Sequence, residues 1–398
     1  MRDATQIVLM RGILLVAAFF LCRSATAQDG AADIFRAASP DEVKLLITRL
    51  GDRSFSVREA ATTRLAEMDG SVRPALAEAT KSRDAEVRMR ARRILVIVNQ
   101  RYFETRLRAF IADADGKQGV ELPGWSRFQS LAGKSREARE LFVEMQRAEP
   151  RILEATESKL QSVNELLADR LEEGFQTSQF SSGGELSAAS AAALVFVATD
   201  PKLQLRPESA ALVGMLIYQP PFHAALGGPR GESVKPILSA WVMRETDDTA
   251  LLMQNVSLAT QHNLPVGREL AKTVLARGDL PPLSVAQAMS LLARTGKQGD
   301  AALLERFLRD EGMIASFNRN DPDRHTLKVC DCAMAMMIAL TGNKPDQFRD
   351  GPLRWYQGWN ADLQTLAFPT DEDRQAALKK WKEWWAENKE KLGKEEAK

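Results

Sequence analysis

The chain has 398 residues, with 54 Lys and Arg against 53 Asp and Glu and 44% hydrophobic residues. That balance excludes a disordered chain, a collagen and a polytopic membrane protein as descriptions of the whole. Aromatics are only 7%, Ala and Leu are abundant, and runs of Val, Ile, Thr and Tyr are scarce, so helix is favoured over sheet.

In chain order, Arg2 and Arg11 precede an apolar run from Gly12 to Leu21, and Ala25-Thr26-Ala27 supplies the small-x-small pattern of a signal-peptidase site. Residues 1–27 are therefore expected to be a signal peptide and 28–38 a flexible linker, which places the mature protein outside the cytoplasm, periplasmic or secreted. At about ten residues the apolar run is half of what a membrane-spanning helix needs, and no other stretch reaches the roughly 18 to 20 apolar residues required. Cleavage removes three Arg and one Asp, leaving 51 positive and 52 negative charges. A net of −1 predicts no global attraction to nucleic acid or to an anionic membrane. Only Cys330 and Cys332 remain, too few for a disulfide framework, so burial has to supply the stability.

A repeat follows. At an offset of 30, Arg53-Ser54-Phe55-Ser56-Val57-Arg58 lies over Arg83-Asp84-Ala85-Glu86-Val87-Arg88, and Ala61 and Leu65 lie over Ala91 and Leu95. Ser54 and Asp84 are favoured N-cap residues. Val57, Ala61, Leu65 and Met68, and then Val87, Ala91, Ile94 and Val98, give each segment one apolar stripe. Shorter helices are predicted around Ser71 to Leu76 and after Ser39-Pro40-Asp41-Glu42, which reads as a capping box with proline at the first helical position. Two helix-turn-helix units of this kind cannot cover their own stripes and have to stack.

This pattern resembles HEAT repeats, specifically the short, roughly 30-residue HEAT-like kind of bacteria, which share the Asp-x-x-Val-Arg start seen at Asp84 to Arg88. The resemblance spans residues 41–98. It implies stacked helix pairs and, usually, protein–protein interaction. Some HEAT-like proteins are lyases or lyase subunits in pigment attachment, but the residues matched here are packing residues, so that activity does not carry over. Leu340-Thr341-Gly342 followed by Trp381-x-x-Trp384-Trp385 is similar to the closing segment of some secreted bacterial HEAT-like proteins of unknown function.

Beyond Asn99 the helical period breaks up, with turn signals at Asp113, Asp115, Gly116 and Leu122-Pro123-Gly124-Trp125. Helix pairs are assigned to 39–112 and a connecting segment to 113–134. Helices resume at 135–147 and 150–174, with Leu153, Leu160, Val163 and Leu167 on the apolar side of the second; Ser178 to Gly184 reads as a polar loop. Residues 188–198 and 329–340 are apolar on nearly every face, as buried helices are. Further helices are predicted at 208–218, 233–245, 248–261, 265–276, 283–294 and 299–310, with no strand signals. The last starts at Thr370 as N-cap and runs through Ala377, Trp381, Trp384 and Trp385. The fold expected is all-α, a degenerate α-solenoid over 135–392 with a charged tail at 393–398.

Chemistry is thinly represented. The chain has no His-Glu-x-x-His, Gly-x-Ser-x-Gly, Ser-x-x-Lys or phosphate-loop pattern, and its three His are His223, His262 and His325. No cofactor is expected. Asp113-x-Asp115-Gly116 imitates a calcium loop, but the register puts Ile111 and Leu122 at ligand positions, so a polar turn is the reading. His325, Cys330, Asp331 and Cys332 offer metal-ligand types, yet on one helix the two thiols lie about 200° apart. Buried thiols are preferred, with Asp331 finding an Arg or a cap partner.

Between Lys81 and Arg108 there are nine basic and three acidic residues. Arg88, Arg92 and Arg93 lie outside the apolar stripe and are expected to face water or a groove that takes an anionic partner. Trp355, Tyr356 and Trp359 form an aromatic segment. Exposed, it would stack on sugars or anchor a partner; folded inward, the preferred reading, it plugs the end of the array against Trp381 and Trp385. Together these features predict a non-catalytic, exported scaffold that binds another protein. The alternative is a carbohydrate or envelope-polymer binder, and a more distant one an unrecognised hydrolase or lyase.

Overall fold

The computed structural model describes residues 39–158, 160–180, 186–244, 248–318, 324–349, 355–356, 360–361 and 363–395. The predicted signal peptide, the linker and Trp359 lie outside the described residues. Helices dominate, and the chain divides into two compact units, one ending at Val120 and one beginning at Glu121. No helix among the described residues is long and apolar enough to cross a membrane.

The first unit consists of α1 (Pro40–Arg49), α2 (Phe55–Glu67), a 3-10 turn at Gly70–Val72, α3 (Arg73–Ala79) and α4 (Ala85–Ala112). Pro40 opens α1 with Asp41 and Glu42 in the first turn, where the helix dipole favours acids. The predicted capping box does not form: Ser39 makes no side-chain cap bond. Ser54 sits at the N-cap of α2 without capping it, because its Oγ pairs with Ser56 Oγ at 2.9 Å. Asp84 does cap α4, its Oδ1 accepting from the amides of Glu86 and Val87 at 2.8 and 3.3 Å.

Both stripes point inward. Ala61 and Leu65 of α2, Met68 just past its end, and Val87, Ala91, Ile94 and Val98 of α4 join Val43, Leu46, Leu50, Val72 and Leu76 in one core. Val57 is half-buried. Gly51 lets the α1–α2 turn approach α4, since a Cβ there would fall 2.9 Å from Asp84 Oδ2 and from Val87 Cγ2. The break expected at Asn99 is absent: α4 runs on for 28 residues, with Leu107 and Phe110 buried in its last turns. Asp113 then closes a polar turn, accepting from the Gln118 and Val120 amides at 2.9 and 3.2 Å.

The second unit continues with α5 (Trp125–Ala132), α6 (Arg136–Ala148), α7 (Pro150–Ser158), α8 (Leu160–Phe180), α9 (Ala188–Ala198), α10 (Pro207–Ile217), α11 (Pro220–Gly227), α12 (Gly231–Val242), α13 (Thr249–Gln261), α14 (Gly267–Ala276) and α15 (Pro282–Thr295). A 3-10 segment, Gln298–Arg309, leads to a hairpin of β1 (Met313–Asn318) and β2 (Arg324–Lys328), then α16 (Val329–Thr341). Two-residue strands β3 (Trp355–Tyr356) and β4 (Asn360–Ala361), a short α17 (Leu363–Leu366) and α18 (Asp371–Glu395) complete it.

Residues 113–134 are more than a connection. Trp125 and Phe128 of α5 are buried and pack with Phe142 and Phe196, at ring distances of 4.9–5.7 Å for the Trp125–Phe128, Trp125–Phe142, Phe128–Phe142 and Phe128–Phe196 pairs. Every residue of α9 from Ser190 onward is buried, against α6, α10, α11 and α12. Helices α13 to α16 then pack largely on their sequence neighbours. Gly342 ends α16 in the left-handed conformation, φ 70°, that a helix C-terminus commonly takes.

The antiparallel hairpin departs from the expectation of no strands. Its register sets Phe317 opposite His325 and Ala315 opposite Leu327, and Thr326 pairs on its other side with Phe368 through bonds of 2.9 and 3.0 Å. Burial alternates over β2, with His325 and Leu327 buried and Thr326 and Lys328 half-buried, as a strand requires.

Candidate functional site

The contact between α2 and α4 shows how one pair meets the next. Arg90 of α4 reaches across to α2, donating from Nη1 to Glu59 Oε1 at 2.8 Å and Thr62 Oγ1 at 3.0 Å, and from Nε to Glu86 Oε1 at 2.6 Å. Hydrogen bonds to Glu86 and Glu59 hold its guanidinium above the ordinary arginine value. About three turns further along α4, Arg101 Nη1 donates to the Ala66 carbonyl at 2.7 Å. Glu86 also pairs with Arg58 Nε at 3.2 Å, so one carboxylate joins both repeats.

The arginine of the Val-Arg motif has a different task. Arg58 Nη1 donates to the carbonyls of Asp52 and Arg53 at 2.8 and 3.2 Å, and Arg88 Nη1 to those of Ser82 and Arg83 at 2.8 and 2.7 Å. In each repeat the side chain folds back over the turn before its own helix and satisfies carbonyls that the turn leaves unpaired. Arg88 is therefore half-buried and engaged in packing, and does not stand with Arg92 and Arg93 on an open surface.

Arg92 and Arg93 are exposed and make no ion pair among the described residues. Between and beside them on the same face of α4 stand Met89, Val96 and Ile97, which expose 57%, 66% and 40% of their surface. Three sizeable apolar side chains within two helical turns, flanked by two arginines, form an amphipathic stripe directed away from the unit's core. Sequence reasoning named the arginines and missed the apolar members. The 30-residue offset contained the signal, since Met89, Val96 and Ile97 replace Glu59, Ala66 and Glu67 of the first repeat. On the other helices of the same pairs, a recess of about 740 Å³ between α1 and α3 is lined by Val43, Ile47, Pro74 and Ala75.

The remaining predicted residues sit in the second unit. His325 lies on β2, while Cys330, Asp331 and Cys332 open α16, and all four are buried. Burial, then the neighbouring Asp331, pushes the Cys330 thiol up to about 12, and burial pushes Cys332 up as well. These are thiols held protonated rather than reactive thiolates. Asp331 finds both kinds of partner expected of it: its Oδ2 accepts from the Lys328 amide at 2.9 Å, and Arg374 of α18 binds both its oxygens. Burial pushes its carboxyl up, against the pull of the Lys328 amide and Arg374. No cluster of His, Cys, Asp and Glu among the described residues is arranged to hold a metal ion.

The side chains of Trp355 and Tyr356 lie outside the described residues, as does all of Trp359. Among the described residues, the tryptophans of α18 pack with one another and with Phe348: Trp381 stacks on Trp384 and Trp385 at 5.0 and 6.2 Å, and Phe348 meets Trp381 edge-on at 4.9 Å. Thr370 caps this helix, accepting from the Asp373 amide at 3.1 Å.

No protein-family model, curated protein or solved structure matches the chain.

Proposed function

We propose that the chain is an exported, non-catalytic scaffold of HEAT-like helix pairs, with α-solenoid character continuing in degenerate form over residues 135–392, and that it binds another protein. The observation that carries the reading is the outer stripe of α4: Met89, Val96 and Ile97 are exposed on the one helix of the repeat whose counterpart, α2, has its equivalent side bonded to a neighbour. Stacked pairs use lateral surfaces of this kind for recognition. Export rests on the Arg2 to Ala27 pattern, and the succession of α13 to α16, each packed on its sequence neighbour, favours the solenoid.

The test is a photo-crosslinking amino acid placed at Val96 in the chain expressed in its native host, with Lys44 on α1 as control. A discrete protein adduct from position 96, absent from position 44 and abolished by Met89→Glu, is expected. Equal adducts from both positions, or none from 96, contradict the reading.

A further inference from the structure

The repeat's own register specifies what the α4 stripe accepts. The α2 groups that α4 engages are Glu59, Thr62 and the carbonyl of Ala66. Thirty residues on, these positions are Met89, Arg92 and Val96, with Arg93 in place of Thr63. The corresponding surface is therefore open where the first is covered, more apolar at two positions, and reversed in charge: a carboxylate is lost and two guanidinium groups appear.

We propose that this surface seats a single amphipathic helix of a partner protein, lying across α4 as α4 lies across α2. Its apolar side chains cover Met89 and Val96, and a carboxylate stands where Arg90 stands, against Arg92 and Arg93. This rests on the scaffold reading and adds the partner's shape and sign. Charge complementarity selects the occupant: residues 81–108 carry nine basic and three acidic side chains, and among the described residues Arg92 and Arg93 have no carboxylate of their own. A second copy stacked in the repeat's manner would present Ala60 and Ser71 where α4 presents Arg90 and Arg101, and so brings no acid at those two positions. A nucleic acid would answer the arginines but leave Met89, Val96 and Ile97 uncovered by anything apolar.

Two hydrocarbon-stapled, fluorescent peptides of residues 84–101 test it against the full chain, one with the natural sequence and one carrying Arg90→Glu. The Arg90→Glu peptide is expected to bind at least about tenfold more tightly, the advantage shrinking with added salt. Arg92→Glu/Arg93→Glu in the chain should reverse the order, and Val96→Asp should remove both signals while the thermal midpoint stays at the wild-type value. Equal binding, binding of neither peptide, or a preference indifferent to these substitutions overturns the inference. Should adducts from position 96 persist while the peptides fail to discriminate, the scaffold reading stands and the acidic-helix assignment falls; loss of both results removes both.

Discussion

Asp331 and Arg374 lie 43 residues apart and meet as an ion pair closed to solvent, Arg374 Nε donating to Oδ1 at 2.9 Å and to Oδ2 at 3.1 Å. Their side chains are 0% and 1% exposed. Arg374 Nη2 also donates to the carbonyl and the hydroxyl of Thr326, each at 2.8 Å, and Asp371 accepts from Nη1. One guanidinium thus ties α18 to β2 and to the start of α16.

A charge left alone in that position is costly. Arg374→Met is expected to lower the unfolding free energy by about 3–5 kcal/mol, because Asp331 stays buried without its partner. The double variant Asp331→Leu/Arg374→Met should recover most of that loss. Chemical denaturation of the wild type and both variants checks it; a double variant as unstable as the single one would show that the lost partner is not the cause.

The two Val-Arg arginines hold their turns, and the exposed ones do not. Arg58→Met and Arg88→Met should each lower stability by about 1–2 kcal/mol through the unpaired turn carbonyls. Arg92→Ala, on the open stripe, should stay within about 0.5 kcal/mol of wild type. Urea midpoints of the three variants decide; equal effects would remove the distinction drawn between Arg88 and Arg92.

Arg90 joins two repeats through Glu59, Thr62 and Glu86. Its removal should act on the first unit by loosening α2 from α4, at a cost of about 1 kcal/mol because its acidic partners are partly solvated. Amide hydrogen exchange should then rise along α2 in Arg90→Met and remain unchanged in α12 to α16. Uniform change across both units would contradict it.

The His223 and His262 rings stand 6.0 Å apart. Burial, then His223 and Lys235, lowers the His262 imidazole below its ordinary value, so the folded chain favours the neutral ring. A group depressed in the folded state takes up its proton more readily when unfolded. Stability is therefore retained above about pH 6.5 and declines as the pH falls through that value toward the folded one. His262→Gln should flatten the fall in thermal midpoint between about pH 7 and pH 5.5 relative to wild type. Parallel curves would remove His262 as its source.

The helices were legible where pattern and burial agreed. Val87, Ala91, Ile94 and Val98 announced the buried side of α4, and the unbroken apolar runs of 188–198 and 329–340 announced two buried helices. Local competition decided the misses. Ser39 and Ser54 have capping chemistry, but neither hydroxyl forms the cap bond, whereas the carboxylate of Asp84 does. Trp125 and Phe128 were hidden by the turn residues around them, although their side chains fill a core. The β2 strand is five residues long and finds partners on Met313, on Ala315 to Asn318 and on distant Phe368, pairings that no local pattern encodes. At the candidate site the arginines were visible as charge. The apolar stripe needed the offset to be read for what differs between repeats as well as for what they share.

The most direct test is the accessibility of Val96 itself. In a Cys22→Ser/Val96→Cys chain, Cys330 and Cys332 are buried and quiet toward maleimide, so labelling reports position 96 alone. Labelling at the rate of a free thiol is expected for the purified chain, with strong protection in the native host's intact extracytoplasmic fraction. Rapid labelling in both settings, or protection already present in the purified chain, would contradict it.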